Sequence, residues 1–114
     1  MRVVQQGGKK EIFEVVEEAA EFPGGMPACL QFLYKNINYP TIAQENGTQG
    51  QVVLQFVVER DGSITDIKVV KSVDPYLDKE ALRVVKTMPK WKPGKQRGKP
   101  VRCRFTLPVR FRLQ

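Results

Sequence analysis

Four aspartates are the residues of this chain that come closest to acid–base or metal chemistry, because the sequence contains no histidine. Histidine is the commonest general base near neutral pH and the commonest metal ligand. The candidates are Asp61, Asp66, Asp74 and Asp78. Three of them have structural explanations, since Asp61 lies in a predicted turn and Asp74 and Asp78 begin a predicted helix. We therefore predict that the chain is not an enzyme.

The two cysteines and the glycine-containing segment 94–99 do not form a metal or phosphate site by their spacing. Cys29 and Cys103 lie far apart and lack the pattern of metal ligands. Segment 94–99 lacks the Walker spacing and does not open a helix. We expect no metal or cofactor. Both cysteines are predicted to be buried free thiols, since cysteine is among the most buried residue types. A disulfide between them is the alternative in an oxidising compartment.

Charge is distributed unevenly along the 114 residues, which carry a net charge of +7. Residues 1–80 hold all 12 acidic residues and eight of the 19 basic ones, so residues 81–114 hold the other 11 bases and no acid. Such a basic segment is compatible with nucleic acid, anionic lipid or an acidic peptide as partner, and equally with a solvated face. No apolar run approaches the ~20 residues that span a membrane.

Nucleic-acid binding is the main alternative that the residues themselves raise. Basic side chains are interleaved with Trp91 and Phe105, and aromatic sheets of small α+β domains can bind RNA. However, Phe105 and Phe111 lie on the apolar side of the last predicted strand, which places them in the core. Trp91 follows a buried helix, against whose end it is expected to pack. No RNP-like motif is present.

The last segment is the clearest strand and the best candidate for a peptide-binding edge. Seven apolar residues at every second position from Val101 to Leu113 alternate with polar residues and arginines. Pro108 cannot donate a hydrogen bond to a neighbouring strand, which favours an edge strand or a bulge. An edge strand can receive an extended peptide through its backbone. Arginines and proline also protect edges from aggregation, so the pattern alone leaves both interpretations open.

The remaining periodicities predict one α+β domain: a three-stranded antiparallel sheet with two helices packed on one face. The strands are expected near 50–59, 64–71 and 101–112, with a bulge or a partly exposed face in the second. The helices are expected near 26–37 and 75–88. The buried faces of these two helices are predicted to be Leu30, Leu33, Tyr34 and Ile37 in the first, and Leu77, Ala81, Val84, Val85 and Met88 in the second. Residues 1–21 are expected to be a flexible lead, and residues 22–114 the domain.

Between Tyr39 and Gly94, the residues at the predicted turns and element boundaries occur in an order that resembles the C-terminal domain of TonB, the energy transducer of Gram-negative bacteria. The resemblance covers about residues 11–114. A glutamate-rich stretch running into Phe22-Pro23-Gly24-Gly25 is similar to TonB-like chains from Bacteroidetes. The other matching features are Tyr39-Pro40, a short helix ending at Gly47, Gly50 opening a strand, the Asp61-Gly62 turn, Leu77-Asp78 with Ala81, and Pro89-Lys90-Trp91-Lys92-Pro93-Gly94.

The resemblance implies a periplasmic domain that binds the TonB box of outer-membrane transporters by strand addition. It also implies that the domain transmits energy from the proton-motive force for substrate import. ExbB and ExbD would be partners through an N-terminal part absent from this chain, which would anchor the protein in the inner membrane. Nucleic acid is not implied, and a homodimer is left open. The alternatives are a TonB-like tail of a sensor or peptidase-type membrane protein, or a basic nucleic-acid-binding domain.

The resemblance also implies the contact residues. The family's segment around the Tyr-Pro pair corresponds to Asn36, Asn38, Tyr39 and Pro40. The strand that receives the TonB box corresponds to Val101, Arg102, Cys103, Arg104, Phe105, Thr106, Leu107 and Pro108. Leu77-Asp78 with Ala81, and residues 91–94, are similar to the family's framework and are expected to make no partner contact.

Overall fold

The computed structural model describes residues 11–113 and has the expected α+β architecture. Three helices and five strands occur in this part of the chain. In chain order they are β1 (Ile12–Phe13), α1 (Gly25–Asn36), α2 (Thr41–Glu45), β2 (Gly50–Val58), β3 (Ile64–Lys71), α3 (Pro75–Lys86), β4 (Gly94–Gln96) and β5 (Lys99–Phe111).

The three long strands form the predicted antiparallel sheet, with β2 between β3 and β5. The ladder between β2 and β5 runs without interruption from the pair Gly50–Phe111 to the pair Val58–Cys103. Two short strands add to this prediction: β1 pairs parallel with β5, and β4 forms a hairpin with the start of β5. At two and three residues they are too short to give a detectable alternation.

Both long helices pack on one face of the sheet, as predicted. A single core cluster joins the even-numbered residues of β2 (Val52 to Val58) to the odd-numbered residues of β5 (Cys103 to Phe111) and to both helices. Helix α3 contributes the predicted Leu77, Ala81, Val84 and Val85, with Met88 partly buried beside them. Its start follows the sequence closely, because the Asp74 carboxylate accepts a hydrogen bond from the Leu77 N–H at 2.7 Å and Pro75 occupies the first turn.

The buried face of α1 agrees with the prediction only in part, because Leu33 and Ile37 pack on the core but Leu30 and Tyr34 do not. Cys29 and Leu33 face the core, whereas Leu30 is 55% exposed and Tyr34 is 84% exposed. Apolar residues occur around more than one side of this helix, so their spacing alone could not select the face that packs. The core-facing positions are four residues apart and continue to the partly buried Ile37.

Strand β3 contains the predicted irregularity. Its register with β2 shifts between Val53 and Leu54 and again between Gln55 and Val57. Asp66, in the second irregular stretch, has a φ of 52°, a left-handed conformation that aspartate tolerates better than most residues. The shifts identify β-bulges, which bend the strand and interrupt its pairing.

The described part of the expected flexible lead, residues 11–21, packs against the domain. Backbone hydrogen bonds join Glu18 to Lys95 and Glu21 to Lys92 in both directions, while Ile12 and Phe13 pair with β5. Ala20 is buried in the core. For this segment the structure corrects the expectation, because short backbone pairings and one buried alanine leave no periodic pattern in the sequence. Residues 1–10 of the expected lead lie outside the described residues.

Both cysteines are buried free thiols, which confirms the prediction. Burial raises the pKa of the Cys29 thiol to about 11 and also raises that of Cys103. We expect slow reaction with a thiol reagent at pH 8 in the native state, because the reactive thiolate is disfavoured and inaccessible. Unfolding in denaturant without reductant should expose two reactive thiols. A count of zero would show a disulfide instead.

Candidate functional site

The outer edge of β5, on the side away from β2, presents unpaired backbone groups. Pairs in an antiparallel ladder alternate between those that exchange both hydrogen bonds and those whose N–H and C=O groups point outward. The uninterrupted ladder includes the pair Val53–Pro108, although proline has no N–H. A proline fits only where its nitrogen points away from the partner strand. The backbone groups of Thr106 and Arg110 therefore also point to the outer edge.

The chain already occupies one end of this edge. Ile12 pairs with Arg102 and Phe13 with Cys103, while Val101 belongs to the hairpin with β4. Within residues 11–113, no strand lies against the outer edge from residue 104 to residue 111. Of the predicted receiving strand, residues 104–108 are thus open, and residues 101–103 are engaged in contacts within the chain.

The side chains on the solvent face of β5 are held by neighbours. Arg102 donates to Glu59 at 2.7 Å, and Arg104 donates to Glu14 at 3.0 Å. The Thr106 hydroxyl accepts a hydrogen bond of 3.1 Å from the Gln55 amide. These contacts hold the side chains beside the open edge in place. What β5 offers to a partner at residues 104–108 is therefore mainly its outward-pointing backbone groups.

The aromatic residues of β5 support the edge from the core side. Phe105 stacks on Phe56 at a centroid distance of 5.8 Å and contacts the edge of Trp91 at 4.8 Å. Trp91 is 3% exposed and Phe111 is 2% exposed. Trp91 is a core residue that packs on Phe22, Phe56 and Phe105. With Trp91 and Phe111 buried and Phe105 partly buried, these rings do not form a platform on which bases could stack.

The second predicted segment, Asn36 to Pro40, is fixed to α3 through its backbone. Arg83 donates to the Asn36 carbonyl at 2.9 Å, and the Asn38 N–H donates to the Glu80 carboxylate at 2.6 Å. The Tyr39 hydroxyl donates to the Thr48 carbonyl, and the Pro40 carbonyl begins α2 by accepting from Gln44. Asn36 ends α1, and the backbone is extended at Ile37 and at Pro40. These hydrogen bonds hold the segment in place, with the side chains of Asn36 and Asn38 exposed.

The Asn36–Pro40 segment meets β5 at the C-terminal end of the strand, beyond the predicted contact residues 101–108. The rings of Tyr39 and Phe111 contact edge to face at 5.7 Å. Beside them is a cavity of about 180 Å³ lined by Tyr34, Ile37, Tyr39, Arg110, Phe111 and Arg112. The prediction from the sequence ended the strand contacts at Pro108, so Arg110, Phe111 and Arg112 lie outside it. The alternation of arginines and apolar residues up to Leu113 was the available signal.

Glu80 is the electrostatic anchor of the Asn36–Pro40 segment. Partial burial alone would raise the pKa of its carboxyl, but the hydrogen bonds from Arg83 and from the Asn38 N–H hold it below its ordinary value. A carboxylate whose pKa is lower in the folded state stabilises the fold above its unfolded pKa. That contribution is lost as the pH falls through the folded pKa.

We expect Glu80→Gln to lower the free energy of unfolding by about 1–2 kcal/mol at pH 7, the scale of hydrogen bonds to a charged group. The difference from the wild type should shrink as the pH falls below about 4, near the ordinary glutamate pKa. Urea unfolding at several pH values measures this. Glu45→Gln is the control, because Glu45 is exposed and forms no ion pair with another described residue. An equal, pH-independent effect of both substitutions would contradict the anchoring role.

The opposite edge of the sheet, on β3, is less suited to strand addition. Its bulges and the left-handed Asp66 interrupt the regular row of backbone groups. Bulges at an edge are a common protection against pairing with other chains. Among the described residues, β5 therefore offers the longer regular edge.

Neither a metal site nor a membrane-spanning helix occurs in residues 11–113. Their acidic residues and cysteines form no group of three or more that could hold a metal ion. The helices in this range are all too short and too polar to cross a membrane.

Comparison with known proteins identifies the family of this chain. Residues 35–113 match the family model described as Gram-negative bacterial TonB protein C-terminal. Protein TonB of Helicobacter pylori strain J99 is 46% identical over 50 residues, which are 43% of this chain and 18% of that protein. Protein TonB of strain 26695 matches equally. The chain thus aligns with less than a fifth of the length of these relatives.

Two NMR structures of the Helicobacter pylori TonB C-terminal domain share the fold. The longer form has a TM-score of 0.57 and 28% identity, with 75% of this chain and 78% of that chain covered. The shorter form has a TM-score of 0.56 and 27% identity, with 75% and 90% covered. Sequence and structure therefore point to the same family.

Proposed function

Because the chain belongs to the family of Gram-negative bacterial TonB C-terminal domains, we propose that it binds the TonB box of outer-membrane transporters by strand addition to β5. The observation that carries this proposal is the open outer edge from residue 104 to residue 111. An extended peptide placed there would pair its backbone with the outward groups of Thr106 and Arg110 and with the carbonyl of Pro108.

The Asn36–Pro40 segment would contact the same peptide at the end of the edge. Tyr39 and Phe111 line the cavity there, and Arg110 and Arg112 border it. The backbone bonds to Glu80 and Arg83 hold this segment in place before any partner arrives. Such preorganisation reduces the entropy that binding must overcome. Asn36 and Asn38 would offer exposed amides to a neighbouring chain.

At the level of the whole protein, we propose a TonB-like energy transducer in the periplasm. ExbB and ExbD would act through an N-terminal part that anchors the protein in the inner membrane, and this domain would pass force to a transporter for substrate import. Members of this family are not enzymes, in line with the prediction from the missing histidine. A peptide paired along a strand shares a pulling force among several hydrogen bonds, each worth ~1 kcal/mol net. The same edge would join two copies if the domain forms a homodimer.

Titration with a peptide that carries a TonB box, and in parallel with a single-stranded oligonucleotide, tests the binding proposal. We expect weak peptide binding, because a disordered peptide must be ordered as it binds. The affinity should change little between low and high salt. Arg102→Ala and Arg104→Ala should weaken it modestly, because both guanidinium groups are already paired with carboxylates of the domain, Glu59 and Glu14. Oligonucleotide affinity that falls steeply with salt, with no response to the peptide, would contradict the proposal.

A further inference from the structure

The chain's own N-terminal segment lies on the edge to which the partner strand is proposed to bind. Strand β1 is parallel to β5 and pairs with Arg102 and Cys103, immediately before the open residues. Glu14 follows β1 and forms an ion pair of 3.0 Å with Arg104, the first residue of the open edge. The segment therefore pairs with the backbone of β5 just before the open edge and with the Arg104 side chain at its first residue.

The attachment of this segment is shallow. Only two residue pairs join β1 to β5, whereas nine join β2 to β5. The Glu14 side chain is 67% exposed, and Val15 is 83% exposed. Phe13 and Val16 are only partly buried against the core. Local opening is cheapest where few apolar contacts and few backbone hydrogen bonds hold a segment.

The Arg104 guanidinium has hydrogen-bond donors that Glu14 does not use. Its Nε donates to Glu14, while its Nη1 is buried and has no acceptor among the described residues. A guanidinium can donate two parallel bonds to one carboxylate or can bind a carboxylate and a carbonyl together. A second extended strand at this position could satisfy the remaining donor.

We propose that residues 11–16 are an intramolecular competitor for the partner strand. A short partner fits on residues 104–111 beside β1. A longer one displaces β1, pairs with Arg102 and Cys103, and takes over Arg104 from Glu14. This inference rests on the proposed function, because it concerns the same edge. Partner binding and detachment of residues 11–16 are thermodynamically linked, so each favours the other. A long partner therefore releases the N-terminal segment, and pulling that segment away from β5 increases the affinity for the partner.

Two TonB-box peptides of different length test the competition. One has about eight residues, the span of the open edge at ~3.3 Å per residue, and the other has about four more residues directed towards Arg102. Glu14→Lys replaces the ion pair by repulsion and should tighten binding of the longer peptide by about two- to fivefold, the scale of an exposed pair. The shorter peptide should bind as it does to the wild type. Glu11→Lys is the control, since it makes the same change in charge and Glu11 forms no ion pair with another described residue.

Locking the segment gives the opposite test. Phe13→Cys places a thiol opposite its strand neighbour Cys103, and oxidation would tie β1 to β5. In the oxidised protein, the longer peptide should bind no better than the shorter one, and reduction should restore the difference. The reduced form provides the control for folding, and oxidised wild type the control for Cys29.

If Glu14→Lys and the oxidised Phe13→Cys both bind the two peptides as the wild type does, the competition is overturned while the proposed function stands. If the longer peptide has no advantage in any variant, the competition is likewise overturned. Failure of both peptides to bind any variant would overturn the proposed function and the competition with it.

Discussion

Replacing Gly62 by alanine is expected to cost the domain about 2–5 kcal/mol of stability. Gly62 has a φ of 90°, where an alanine is disfavoured by about 1–2 kcal/mol. A Cβ at this position would lie 2.0 Å from the Trp91 carbonyl oxygen, so the backbone would have to move. Overpacking of this kind adds about 1–3 kcal/mol. The sum is a large share of the roughly 5–15 kcal/mol of a typical domain.

The close approach of Gly62 to the Trp91 backbone joins two distant parts of the chain. The Gly62 N–H donates to the Glu59 carbonyl, and its own carbonyl accepts from the Trp91 N–H at 2.8 Å. Trp91 packs against Phe56 and Phe105 beneath β5. Loss of this contact should therefore loosen the core that supports the open edge.

Gly98→Ala is the matched control for this prediction. Gly98 also has a positive φ, 76°, but a Cβ there would meet no atom within 4 Å. It should cost only about 1–2 kcal/mol, the backbone contribution alone. Thermal and urea unfolding of both variants measure the difference. Equal losses for the two would show that the contact with Trp91 does not matter.

The second large effect is expected on binding: Thr106→Pro should weaken binding of a TonB-box peptide by about five- to 150-fold. The Thr106 N–H points to the outer edge, so proline removes a donor from the edge without removing a bond to β2. The partner's carbonyl would then be buried without a donor, which costs about 1–3 kcal/mol. Pro108, two residues further along, shows that the fold accepts proline at this kind of position.

Thr106→Val separates the backbone from the side chain. It keeps the N–H and removes the hydroxyl that accepts from Gln55. We expect peptide affinity close to that of the wild type for this variant. Unfolding curves for both variants establish that the domain is intact. Normal binding by a folded Thr106→Pro variant would exclude pairing at this part of β5.

The sequence predicted the parts of the fold that have regular periods. The alternation of apolar and polar residues in β5 and the apolar stripe of α3 each indicate one buried face. Asp74-Pro75 marks the start of α3. The core face of α1 could not be predicted, because apolar residues such as Leu30 and Tyr34 are exposed on its other sides. The packing of residues 11–21 depends on backbone bonds to a distant hairpin, which side-chain patterns do not report.

The sequence led to the candidate site as two separate segments, and the structure adds their positions relative to each other. The sequence resemblance indicated Asn36–Pro40 and the last strand as contact regions. It could not show that they meet at Phe111, because that contact depends on the register of Gly50 with Phe111. Nor could it show that β1 covers Arg102 and Cys103, since this parallel pairing of two residues leaves no pattern.

The most direct test of the proposed strand addition is amide hydrogen exchange, residue by residue, with and without a TonB-box peptide. The N–H groups of Thr106 and Arg110 point to the open edge, so they should exchange readily in the free domain. They should become strongly protected in the complex. The N–H groups of Leu107 and Val109, which point to β2, should be protected in both states. Peptide binding that leaves Thr106 and Arg110 exchanging freely, or that protects β3 instead, would contradict strand addition at β5.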